Sequence, residues 1–229
     1  TLEEILSFVV VLFWIDESFD PHQEHQKKAP NIIKAYFFVA KDSIFMSYLF
    51  ASVFIAMIFN QIDYYLPVHL SDSFSTTRIL GLEVYGQRML TIFLLINTLI
   101  IVLFMSKMNQ LTKNWSRSTG ITLGIFLQGL GFIIAFLGHN LSWEVTAAVV
   151  ATLGEMILVP FSQALRADLM EGDHVGTYTG AFSVTQPVAS VLSGVLVSMS
   201  AIYGNIGMAI FMGIIIFLSI LPSLRAIRM

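Results

Sequence analysis

Two carboxylates, Asp63 and Glu155, stand where acids are scarce. Asp63 follows Ile44–Ile62, a run without Asp, Glu, Lys or Arg, and lies in FNQIDYYLPVHL at residues 59–70. Glu155 lies near the middle of a second apolar stretch, in LGEMILVP, five residues before Pro160. A charged acid in hydrocarbon is unfavourable by about 2.5 kcal/mol or more, so each needs a reason to be there. Two readings are open. Either acid is the structural partner of a polar neighbour, or it takes up and releases a proton as its access to water changes. A deprotonated acid in an apolar cavity also attracts a lipophilic cation, so one group can couple proton movement to cation movement. Asn60 and Tyr64 flank Asp63 at helical spacing and are expected on its face.

Other polar residues in apolar surroundings are candidates for cavity lining or gating. Glu83 and Arg88 bracket the start of a second apolar run, where they form an interfacial salt bridge or a latch. Asn97, Gln128 and Gln186 are single polar residues within apolar runs. Each is an interhelical hydrogen-bonding group or a cavity residue. Enzyme signatures are absent: there is no HExxH, GxSxG, Walker A loop or dinucleotide fingerprint. The chain reads as a non-enzyme with no cofactor beyond protons as coupling ion. His22 and His25 lack further ligands at useful spacing, so no metal site is expected.

The elements that must hold these residues are membrane helices. Of the 229 residues, 56% are hydrophobic and only 12% charged, and mean hydropathy is +0.78. Soluble domains carry about 25% charged residues. A spanning helix needs about 20 apolar residues. The spans expected are 44–70, 87–106, 118–141, 143–165, 175–200 and 204–224, the last two divided at Tyr203-Gly204-Asn205. An incomplete run, Ile5–Trp14, precedes them, and the chain reads as a piece of a longer protein. Continuous rather than alternating apolarity favours helices over barrel strands. Residues 16–43 read as a polar linker, with a surface helix possible over 31–40. Small residues at spacing four, Gly120 with Gly124 and Gly176 with Gly180 then Ser190, Gly194 and Ser198, predict close helix packing. Pro160 and Pro187 are candidate bending points.

Lys and Arg fix an expected orientation. With residues 16–43 cytoplasmic, Lys27, Lys28, Lys34, Lys41, Lys107, Lys113, Arg117, Arg166, Arg225 and Arg228 lie inside, and only Arg78 and Arg88 lie outside. The C-terminus is then cytoplasmic. These basic residues report topology and do not suggest nucleic-acid binding. With no cysteine, disulfides and thiolate sites are excluded.

IDYYLPVHLSDSF, GLEVYGQRMLTI, LTKNWS, TLGEMILVP and GTYTGAF resemble the C-terminal half of multidrug/proton antiporters of the major facilitator superfamily. The resemblance runs from about Trp14 to the last span. It implies an all-α six-helix half, with residues 1–15 ending a sixth helix and 44–229 forming the C-terminal bundle. It further implies a multi-pass protein of the cell membrane, and a partner N-terminal half missing from this chain. It implies proton-coupled efflux of lipophilic cationic small molecules, with Asp63 as a protonation switch and Glu155 as an acid in the substrate cavity. Glu3 and Glu4 depart from it, falling where apolar residues are expected. Transport of another solute, such as a sugar or peptide, is an alternative, as is a non-transporting membrane sensor or assembly subunit.

Overall fold

A computed structural model describes residues 32–79, 81–170 and 175–227. The expectations for residues 1–31, including the end of a sixth helix, Glu3, Glu4, His22, His25, Lys27 and Lys28, fall outside the described residues. The chain divides into two units, Thr1–Ala35 and Tyr36–Met229. Of the first, only 32–35 are described, as the opening turn of α1 (Ile32–Lys41).

Among its described residues, the second unit is built of helices, their connecting turns and one short hairpin. After α1 come α2 (Ser43–Asn60), α3 (Tyr65–Ser73), strands β1 (Thr77–Ile79) and β2 (Leu82–Val84), α4 (Gly86–Thr112), α5 (Arg117–Leu137), α6 (Leu141–Leu169), α7 (Val175–Phe182) and α8 (Thr185–Ile227). Among the described residues, five stretches are long and apolar enough to cross a membrane: Ser43–Ser73, Gly86–Thr112, Arg117–Leu137, Leu141–Leu169 and Val175–Ile227. The last is not one straight rod. Gly204 takes φ 61°, a left-handed conformation that breaks the helix without steric penalty. The arm before it runs alongside α2, since Tyr48 stacks near Phe182 and Asn60 meets Ser193. The arm after it runs back, since Tyr65 meets Asn205 and Ser47 bonds the carbonyl of Pro222. The chain therefore reverses at Tyr203-Gly204-Asn205.

The helix expected over 44–70 is instead two. Pro67 has no N–H to offer the carbonyl of Asp63 and its ring crowds that carbonyl. The backbone responds upstream. Gln61 N bonds Ile58 O at 3.2 Å rather than Met57 O, and Leu66 N reaches five residues back to Gln61 O at 2.9 Å. The Gln61 side chain then supplies a donor to Met57 O, at 2.9 Å. Residues 61–64 are turns, and Asp63 sits in the break. Pro187, by contrast, falls in the first turn of α8, where it is tolerated.

Close approach is concentrated between α5 and α6. A Cβ on Gly124 would lie 2.7 Å from Leu158 N, and one on Gly154 would lie 2.2 Å from Gln128 N. Only backbone fits there, as small residues at Gly120 and Gly124 predict. The stripe expected along α7 and α8 is displaced. Gly176 faces open space and Ser198 is exposed; the buried line is Thr185, Ala189 and Ser193, also at spacing four. Spacing alone gives a period and leaves the face open.

Asp42 caps α2 by accepting from Ile44 N and Phe45 N, both at 3.0 Å. Its second oxygen accepts from the Tyr178 hydroxyl at 3.0 Å, tying α7 to the same end of the bundle. Lys41, Lys107, Lys113, Arg117 and Arg166 gather toward that basic end. The β1–β2 hairpin and the α5–α6 corner lie at the opposite, hairpin end, where Ser75 N bonds His139 O at 2.8 Å.

Candidate functional site

Two polar clusters interrupt the apolar seams between helices. The first joins α4 to α6. Asn97 donates through Nδ2 to Glu155 Oε2 at 2.8 Å and to Thr152 Oγ1 at 3.2 Å. Thr152 is fully buried and is itself anchored, donating to Ala148 O at 2.6 Å. Glu155 and Asn97 are half-buried. Thr152 and Glu155 are three residues apart on α6 and so present one face to α4. An amide donor on a carboxylate is a charge-assisted hydrogen bond, while the partial exposure leaves a path for a proton or cation. Two of the residues singled out in the sequence, Asn97 and Glu155, are thus brought together.

The second cluster joins α2 to α8. Gln186 donates to Asn60 Oδ1 at 2.8 Å, and Asn60 Nδ2 lies 3.5 Å from Ser193 Oγ. Asn60 is buried, at 5% exposure. The helix ends at Asn60, and the face expected for Asn60, Asp63 and Tyr64 is kept only in part: Asp63 N bonds Asn60 O at 3.1 Å, and Asn60 and Tyr64 both turn to α8, but the Asp63 side chain is exposed on the surface of the chain. Tyr64 is half-buried and turns toward Gly194 of α8. A cavity of about 220 Å³ opens beside the amide pair, lined by Tyr48, Ser52, Phe59, Ser162, Phe182 and Gln186. Its walls set the rings of Tyr48, Phe59 and Phe182 against the polar side chains of Ser52, Ser162, Thr185 and Gln186, and the Arg166 guanidinium stands 4.1 Å over the Phe182 ring.

The remaining candidates sit elsewhere. Glu83 does not pair with Arg88 through its carboxylate. That carboxylate binds Arg78 across the hairpin, Arg78 Nε donating at 3.0 Å, while Arg88 donates to the Glu83 backbone carbonyl and lies 5.0 Å over the Tyr85 ring. Register explains the choice: Arg78 and Glu83 are directly paired in the ladder. Gln128 is buried where α5 meets α6, its Oε1 without a partner. Among the described residues no three His, Cys, Asp or Glu form a metal-holding group.

Sequence reasoning missed one pair. His69 and Glu144 are both fully buried, 3.9 Å apart, at the hairpin end. Glu144 lies in the first turn of α6, where an acid beside a helix N-terminus looks ordinary. Nothing local marks it as buried.

The sequence profile of the Major Facilitator Superfamily matches residues 4–194. The chain belongs to this superfamily. Its members are transporters rather than enzymes, and the family together with the five apolar stretches makes this a multi-pass membrane protein. One curated relative, a "Na(+), Li(+), K(+)/H(+) antiporter" of Planococcus maritimus, is 24% identical over 75% of this chain and 42% of its own length. Two solved structures share the fold. A POT family transporter in complex with thioalcohol conjugated peptide gives a TM-score of 0.65 at 18% identity, over 95% of this chain and 51% of that one. A POT family transporter in complex with 5-aminolevulinic acid gives 0.61 at 16% identity, over 98% and 51%. The chain thus spans about half the length of the solved structures, and less of the curated relative, as one repeat of a two-half architecture does.

Proposed function

We propose that this chain is the C-terminal six-helix half of a proton-coupled efflux transporter for lipophilic cations, completed by a preceding half. One observation carries the reading: a half-buried carboxylate, Glu155, at the middle of a membrane helix, held by the neutral donor Asn97 and, among the described residues, by no basic side chain. Such a group is free to exchange a proton for a cationic substrate. Asp63, exposed in the helix break, is the second exchanging acid. Protonation of the two favours one access state and deprotonation the other, by shifting populations. The Lys and Arg distribution supports a cytoplasmic C-terminus, with the basic end inside and the hairpin end outside.

The test is ethidium efflux driven by a proton gradient in membranes carrying the full-length protein. Efflux is expected to collapse when the gradient is discharged, and to be lost in Asp63→Asn and in Glu155→Gln. Unchanged efflux in both variants overturns the reading. Antiport of small monovalent cations is the second reading, favoured by the name of the Planococcus relative. It predicts that Na⁺, Li⁺ or K⁺, and not ethidium, drives proton movement in the same vesicles. A protein that moves neither is a transporter of another solute, such as a sugar or peptide, or a sensor or assembly subunit.

A further inference from the structure

The buried pair at the hairpin end has no part in the mechanism above, and its chemistry is unusual. His69 Nε2 lies 2.8 Å from Gly138 O. A carbonyl only accepts, so Nε2 carries the hydrogen. Among the described residues, His69 Nδ1 and both oxygens of Glu144 have no hydrogen-bond partner. Glu144 rests against the α5–α6 corner, for a Cβ on Gly138 would fall 3.0 Å from its Oε1. The rings of Tyr65 and Phe136 pack around His69, at 6.1 and 6.5 Å between centroids, and seal the site from water. His139 is exposed and its ring centroid lies 5.9 Å from that of His69.

Other ionisable groups on the surrounding elements do not neutralise the site. Asp63 and Asp72 flank or belong to α3, Arg78 and Glu83 form the hairpin, and Arg88 begins α4; all are exposed. The later helix α8 brings Asn205 and Tyr203 to this end, and Asn205 is engaged by the Tyr65 hydroxyl at 2.8 Å. Among the described residues, His69 is the one basic group within 4 Å of Glu144.

We propose that Glu144 and His69 form a proton-binding site, separate from Asp63 and Glu155, that fastens α3 to the α5–α6 corner while it holds a proton and releases it when the proton leaves. A buried ion pair needs donors on its carboxylate, and here there are none. The closed corner therefore holds the proton on Glu144 as a neutral acid beside a neutral His69. Loss of that proton, from a carboxyl oxygen to water, leaves an anion that only water can solvate. Water reaches it only by parting α3 from the corner. Proton release and opening of the hairpin end are thus one event. The site rests on the functional reading above only for which side of the membrane supplies the proton.

The experiment uses the full-length protein with Val68→Cys and Ser142→Cys, both at exposed positions, carrying spin labels. No substrate or gradient is present, so a protein that moves no ethidium still gives an answer. A short and a long distance population are expected, their ratio moving toward the long one by up to about tenfold per pH unit as pH rises, the limit for one proton. The measurement is made in an Asp63→Asn, Glu155→Gln background, which silences the access equilibrium of those two acids and is expected to keep the response. In that background Glu144→Gln, a neutral mimic of the protonated acid, is expected to hold the short population at every pH. A response there that survives Glu144→Gln, or no response there with Glu144 intact, overturns the proposal. A second readout does not depend on the labels: the infrared carbonyl band of a buried protonated carboxyl, present in the parent protein and missing in Glu144→Gln. Its absence from the parent protein overturns the proposal as well.

Discussion

Glu144 and Glu155 lie on one helix, about three turns apart and on nearly the same face. Their surroundings are opposites. Glu155 is half-buried and takes a hydrogen bond from Asn97, while Glu144 is fully buried and takes none. The difference comes from what faces α6 at each height. At mid-helix it meets an amide on α4, a helix with few buried residues. At the hairpin end it meets the end of α3 and the turn from α5, whose contributions are rings and a carbonyl. A carboxyl with a donor and an opening to its surroundings can change charge in place. One without either can change charge only if the structure moves. The same side chain thus suits exchange in one position and fastening in the other.

The comparison breaks most sharply at Glu155. Glu155→Gln is expected to lower proton-driven ethidium efflux to the level seen without a gradient, whereas Glu144→Gln changes the pH at which the hairpin end opens. Equal effects of the two on the efflux assay would erase the distinction. Next in size is the donor. Asn97→Leu removes a hydrogen bond to a charged group, worth about 1.5–3 kcal/mol, so efflux is expected to fall by roughly tenfold or more with Glu155 still present. Gly154→Ala is smaller on activity and larger on stability. Its Cβ overlaps Gln128 N on α5, so overpacking is expected to destabilise the bundle by about 1–3 kcal/mol, read from thermal unfolding in detergent. The smallest effect belongs to Arg78→Ala. The Arg78–Glu83 pair is exposed, and its loss is expected to change the same unfolding by no more than about 1 kcal/mol.

Much of the fold was legible because apolar run length is a direct consequence of bilayer thickness. The runs, the reversal at Gly204 and the small residues facing between α5 and α6 all read from local composition. The candidate site was legible in part. Asn97 and Glu155 were each visible as polar groups in oil, but their contact across two helices was not. Asp63 was read on one face with Asn60; Pro67 was in view, yet its effect, a turn over residues 61–64, left the Asp63 side chain off that face.

The sequence by itself determined the solvent of this protein, its helices and the acids that hydrocarbon cannot leave unexplained, because those follow from transfer energies that act on each residue singly. Only the tertiary structure decided which acid meets a donor and which meets none. Hydrogen bonding and burial depend on what a neighbouring helix presents at a given height, and helix-to-helix register is set by packing between distant parts of the chain. Glu144 is the plainest case: an ordinary first-turn acid in the sequence, and a sealed carboxyl beside His69 in the fold.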